Sequence, residues 1–85
     1  MSEPTQITFL AGKAETGDIA AQLTLADMYE NGYGIARNMG LAAQWYLQAA
    51  QHGSVQAQAR IGASYLKGLG IGQDHEQAFY WLRMA

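Results

Sequence analysis

The heptapeptide Tyr29-Glu30-Asn31-Gly32-Tyr33-Gly34-Ile35 returns 36 residues later as Tyr65-Leu66-Lys67-Gly68-Leu69-Gly70-Ile71, and this echo constrains the fold more than any other feature of the chain. The same shift places Ala14 on Ala50, Gly17 on Gly53, Ala21 on Ala57, Gln22 on Gln58, Ala42 on Ala78, Trp45 on Trp81 and Ala49 on Ala85. Ile19/Val55, Leu25/Ile61 and Asn38/Asp74 are conservative pairs at that shift. A period of about 20 to 50 residues is the signature of stacked supersecondary units, none of which can bury its apolar face alone.

Within one unit, Ala21, Leu25 and Tyr29 are spaced by four, which puts them on one face of a helix predicted over residues 19–31, the A helix. Ala57, Ile61 and Tyr65 repeat that face. Asp18 and Ser54 stand at the N-cap positions, where a side-chain oxygen can accept from a free backbone N–H. Gly32 and Gly68 close the A helices with the left-handed conformation that a Cβ disfavours, and Gly34 and Gly70 shape the turn that follows. Asn38 and Asp74 then cap a B helix in each unit, Gln77 three residues on giving a capping-box pattern. Ala42, Trp45, Tyr46 and Ala49 share one B-helix face, repeated as Ala78, Trp81, Leu82 and Ala85, with alanines that let helices approach closely. Residues 8–15 fall in the register of a B-helix end, Phe9 standing 36 before Trp45. The expectation is one all-α domain over residues 1–85: a right-handed α-solenoid of five helices and about two and a half units. It divides into a partial repeat (1–17), a full repeat (18–53) and a C-terminally truncated repeat (54–85), and reads as a piece of a longer array.

Composition excludes several classes. Hydrophobic residues at 49% are too many for disorder, and Gln, Gly and Asp interrupt them too often for a membrane span. A net charge of -2 with five scattered basic residues lacks the basic footprint of a nucleic-acid binder. The chain has no cysteine, so disulfides, thiolate zinc sites and thiol nucleophiles are absent. Met1-Ser2-Glu3-Pro4-Thr5-Gln6 carries an acid in place of a basic n-region, and residues 7–12 are too short for a signal core. A cytoplasmic setting is the default, with a periplasmic or secreted one if a signal peptide has been removed.

The pattern Ala21-x-x-x-Leu25-x-x-x-Tyr29-x-x-Gly32-x-Gly34-Ile35, followed by Asn38-x-x-x-Ala42-x-x-Trp45-Tyr46-x-x-Ala49-Ala50-x-x-Gly53, resembles the Sel-one-like repeat (SLR), a relative of the tetratricopeptide repeat. The period of 36 and the Gly-x-Gly-Ile turn suit this class better than the tetratricopeptide unit of about 34. Ala26 stands where the family favours Gly, which Gly62 keeps, and Ala36 and Gly72 stand where Pro is frequent. The resemblance implies a bacterial-type scaffold or adaptor for protein-protein interaction, whose A helices line a concave surface for a protein or peptide. The alternative is a structural spacer segment of a larger enzyme or of an envelope or secretion-associated protein.

The glycine turns follow helices and recur, unlike a dinucleotide fingerprint, which follows a strand. Trp45, Trp81, Tyr29 and Tyr65 repeat at helical spacing on the faces that must bury, so they read as core rather than as an aromatic ligand box. His52 and His75 lack the i, i+4 partner of a metal site and read as solvated helix-end residues. Asp18 and Asp74 read as caps and Glu3 and Glu15 as solvated charges, so no carboxylate pair or nucleophile constellation remains and neither catalysis nor a cofactor is expected. Recognition then falls to A-helix positions that differ between the units. Within Ala20, Leu23, Thr24, Asp27, Glu30 and Asn31, and Gln56, Ala59, Arg60, Ala63, Leu66 and Lys67, the resemblance singles out Leu23, Asp27, Glu30, Asn31, Arg60, Leu66 and Lys67 as the partner patch. The plainer reading of the charges is a surface pair between Glu30 and Lys67. Phe79, Leu82 and Met84 form an apolar C-terminal face, which predicts either further repeats or end-to-end self-association.

Overall fold

A computed structural model describes residues 5–85, with side chains from residue 7 onward; the N-terminal stretch with Glu3 lies outside the described residues. Five helices follow one another: α1 (Thr5–Glu15), α2 (Ile19–Asn31), α3 (Met39–Gln51), α4 (Val55–Lys67) and α5 (His75–Met84). Helices α2 and α4 are the A helices, and α1, α3 and α5 have the B register. Among the described residues there is no strand, and the extensive helix contacts join neighbours in sequence, as in a one-dimensional stack. The stack measures 42 × 22 × 14 Å.

Helices α2 to α5 each start where their cap residue dictates. Asp18 Oδ1 accepts from Ala21 N at 3.0 Å, Asn38 Oδ1 from Leu41 N at 3.0 Å, Ser54 Oγ from Ala57 N at 3.1 Å and Asp74 Oδ1 from Gln77 N at 3.1 Å. The reciprocal half of the capping box expected at Gln77 is not formed. The Asp74 N–H instead donates to Tyr65 O at 2.9 Å, as the Asn38 N–H donates to Tyr29 O at 2.8 Å, so the start of each B helix is tied to the end of its A helix. Gly32 and Gly68 take φ of 74° and 72° at the A-helix ends, with their N–H groups on Met28 O and Ser64 O.

The core is built from small residues. Ala42, Ala43, Ala49, Ala50, Ala57 and Ile61 are buried with Tyr46 and Trp81 in one cluster, while Ala14, Ala21 and Leu25 form a second. Trp45 is only half-buried, yet it packs against both clusters and so joins them. Tyr29 and Tyr65 pack against the larger cluster and Ala78 is fully buried, as the repeat pattern requires. Gly62, in the place of Ala26, leaves room for Leu82, whose side chain a Cβ there would overlap. Phe79, Leu82 and Met84 are exposed at the last helix, and Phe9 is 65% exposed at the first.

The two glycine turns differ in one respect. Gly34 and Gly70 both have positive φ, 71° and 74°, but a Cβ on Gly34 would meet nothing, whereas one on Gly70 would collide with the Met39 carbonyl at the start of α3. The second turn therefore rests on the previous B helix. Gly34→Ala is expected to cost ~1–2 kcal/mol, the strain of a left-handed alanine. Gly70→Ala carries the same strain plus the displaced contact, so urea unfolding should show the larger loss for it. Equal losses would mean that the turn does not bear on α3.

Candidate functional site

The A-helix face carries a groove of about 480 Å³ between α2 and α4, lined by Leu23, Asp27, Gln56 and Arg60 with Tyr46 of α3. Leu23 and Asp27 lie four apart on one helix, Gln56 and Arg60 four apart on the other, so each pair projects from a single face. Glu30 Oε1 accepts hydrogen bonds from Arg60 Nη2 and, at 3.0 Å, from the Tyr46 hydroxyl. The Arg60 guanidinium also stands 5.1 Å from the centre of the Tyr46 ring. Burial first, and then the bond to Glu30, push the Tyr46 phenol up to about 12. Asn31 Nδ2 donates to Asp27 Oδ1 at 2.9 Å and to the Asp27 carbonyl at 3.0 Å, holding that carboxylate in place.

Four of the seven residues singled out from the sequence therefore meet here: Leu23, Asp27 and Arg60 line the groove and Glu30 is bonded to Arg60. Asn31 acts through Asp27. Leu66 and Lys67 sit exposed at the end of α4 and are not groove residues. The expected pair between Glu30 and Lys67 is not made: Glu30 engages Arg60, and Lys67 forms no ion pair among the described residues. Two lining residues, Tyr46 and Gln56, lie outside the patch expected from the sequence. Tyr46 was assigned to the B-helix core, although its hydroxyl had to find a partner on burial. Gln56 was on the variable A-helix surface but outside the proposed patch.

A second feature is polar and internal. Gln22 and Gln58 are buried, and the Nε2 of each donates to the carbonyl eight residues earlier, Ala14 O at 2.9 Å and Ala50 O at 3.3 Å. Their repetition at the 36-residue shift was the signal in the sequence. They tie each A helix to the end of the B helix before it. His52 and His75 lie exposed at helix ends, the Nδ1 of His52 donating to Gln48 O at 2.8 Å. Ser54 is spent as a cap, and the Ser64 hydroxyl donates to Arg60 O within its own helix. Among the described residues no group of three or more His, Cys, Asp or Glu is placed to hold a metal ion, and no helix is long and apolar enough to cross a membrane.

The family description "Sel1 repeat" matches residues 19–54 and 55–85, two consecutive units. The chain belongs to the Sel1 repeat family. Its fold is similar to solved Sel1 repeat structures. One is a Sel1 repeat protein from Oxalobacter formigenes, 39% identical, with a TM-score of 0.75 over 81% of this chain and 28% of that one. Another is a protective antigen of uropathogenic Escherichia coli displaying an SLR fold, 29% identical, with a TM-score of 0.88 over 92% of this chain and 17% of that one. Helicobacter pylori cysteine rich protein B, 21% identical with a TM-score of 0.87 over 99% of this chain and 63% of that one, shares the fold. This Sel1 repeat chain thus spans less than two thirds of the length of each of these proteins. Comparison with curated protein sequences gives no match. Sel1 repeat proteins are generally protein-interaction scaffolds.

The Tyr46 phenol gives a direct readout of the groove. Its folded-state value of about 12 lies above the ordinary 10.0, so its contribution to stability is complete below pH 10 and is lost as pH rises toward 12. Ultraviolet titration of the five tyrosines should show one ionising late, and Tyr46→Phe should remove that late step. A late step surviving in Tyr46→Phe would contradict the assignment of the raised phenol to Tyr46.

Proposed function

We propose that this Sel1 repeat chain is a non-enzymatic interaction module that holds a protein or peptide segment against its A-helix face, in the groove between α2 and α4. The observation that carries this reading is the composition of the groove. Its A-helix residues are ones that the repeat does not hold constant: Leu23, Asp27, Gln56 and Arg60 correspond to Ala59, Ala63, Ala20 and Thr24 one unit away. Residues that build the stack recur, whereas those facing this groove are particular to it. The volume suits a few partner side chains rather than a whole helix. Leu23 offers an apolar contact, Asp27 an acceptor and Gln56 an amide, while Glu30 and Tyr46 hold Arg60 so that its remaining donors are presented at little entropic cost.

The test is capture of native partners by the wild-type chain and by a variant carrying Asp27→Lys, Gln56→Ala and Arg60→Gln. The three positions are exposed, so the variant should keep its helical content and lose no more than about 1 kcal/mol of stability. Partners held by the wild type should be lost or weakened at least about tenfold. Recovery of the same partners at the same strength by a folded variant would overturn the groove as the binding face.

A further inference from the structure

The opposite side of the stack carries a cleft of about 510 Å³ that the peptide-binding reading does not use. It opens between the end of α1, with the turn at Glu15, Thr16 and Gly17, and the α3 residues Leu41, Gln44, Trp45, Gln48 and His52, with Gln22 of α2 behind it. Among the described residues two buried side-chain polar atoms lack a hydrogen-bond partner, and one of them, Oε1, is on Gln22, a residue that lines this cleft. Gln22 is 1% exposed, and its Nε2 is committed to Ala14 O, so its oxygen cannot be exchanged for the nitrogen without setting two acceptors against each other. A buried acceptor left without a donor is costly and points to a group that completes it.

Two further polar groups of the cleft, on His52 and Glu15, ask for the same kind of partner. His52 Nδ1 donates to Gln48 O, which leaves Nε2 of the neutral ring as an acceptor, and that atom faces Gly17, where a Cβ would lie 3.8 Å away. Glu15 brings a carboxylate that forms no ion pair among the described residues. No Lys or Arg lines the cleft, and Trp45 supplies an aromatic wall. Acceptors, a carboxylate and an indole without a competing cation together match a donor-rich cation on an apolar stem. One unit later the positions of Glu15, Gln44 and Gln48 hold Gln51, Tyr80 and Met84, and the Tyr80 ring stands edge-on to Trp81 at 5.0 Å. Gln22 recurs as Gln58, but the Glu15 carboxylate is particular to the first unit and is not something the stack requires.

From this we infer that the cleft between α1 and α3 is a binding site for a guanidinium or alkylammonium group. The charged head is taken by Glu15, His52 Nε2 and Gln22 Oε1, and the stem lies along Trp45. The head can come from a free small molecule or from an arginine or lysine side chain, and the two sources are separated by the probes. NMR titration of the isotopically labelled chain with agmatine should shift the Trp45 indole N–H, the Gln22 carboxamide and the amides of Thr16 and Gly17. N-butylurea, a neutral donor of similar shape, should leave them in place. N-acetyl-arginine amide, standing for a peptide side chain, should bind as well as agmatine if the cleft accepts a tethered head, and more weakly if it is built for the free cation. Glu15→Lys alters an exposed residue, so its melting midpoint should stay unchanged while agmatine binding weakens about tenfold or more. Agmatine shifts centred on Leu23, Asp27 and Arg60, equal shifts with N-butylurea, or unchanged affinity in Glu15→Lys would each overturn the assignment.

Discussion

The close approach of alanine-rich helix faces is the contact on which the rest of this structure depends. Ala14 and Ala21 bring α2 against α1, Ala42, Ala49, Ala50 and Ala57 bring α3 between α2 and α4, and Ala78 seats α5. Small residues contribute little burial individually, about 25 cal/mol per Å² of apolar surface, so the stack also needs large residues placed where the helices part. Trp45 does this by touching both clusters, and Trp81 and Tyr46 do it within the larger one. A chain of this length buries only ~60% of its unfolded surface, so the loss of any of these contacts should be felt throughout the stack.

Close packing leaves backbone groups to be satisfied, and the chain satisfies them in a way that repeats. Gln22 and Gln58 donate to the last carbonyls of the preceding B helix, and the N-cap residues Asn38 and Asp74 donate to the last carbonyls of their A helix. Arg37 and Gln73, different residues at equivalent positions, reach back to Glu30 O and Leu66 O in the same manner. These bonds fix how each helix follows the last. Binding surfaces can then be carried by whatever side chains remain on the two faces, which is how one fold can serve many partners.

The constant part of this design was legible in the sequence, and the lateral part was not. Spacing by four named Ala21, Leu25 and Tyr29, the caps set the starts of α2 to α5 and the glycines set the ends of the A helices, because these features depend on one helix at a time. The partner of Glu30 depends on how α2 and α4 lie side by side, which no single-helix period encodes; the structure puts Arg60 there, about two turns before Lys67. Burial of Gln22 and Gln58 ran against the usual placement of glutamine at the surface, and only their recurrence marked them. The capping box at Gln77 failed for a related reason, since the N–H it was to satisfy had a tertiary partner in Tyr65 O.

We propose a division of labour along the A helices, in which recurring residues hold the stack and differing residues read the partner. A scan of single substitutions through α2 and α4, scoring melting midpoint and partner capture on the same variants, tests it most directly. Replacements at Leu25, Ile61, Ala21 and Ala57 should lower the midpoint, with Leu25→Ala and Ile61→Ala costing ~2–5 kcal/mol. Those at Asp27, Gln56 and Arg60 should reduce capture while keeping stability within about 1 kcal/mol. Capture that follows the melting midpoint at every position, with no variant that is stable yet fails to bind, would contradict the account.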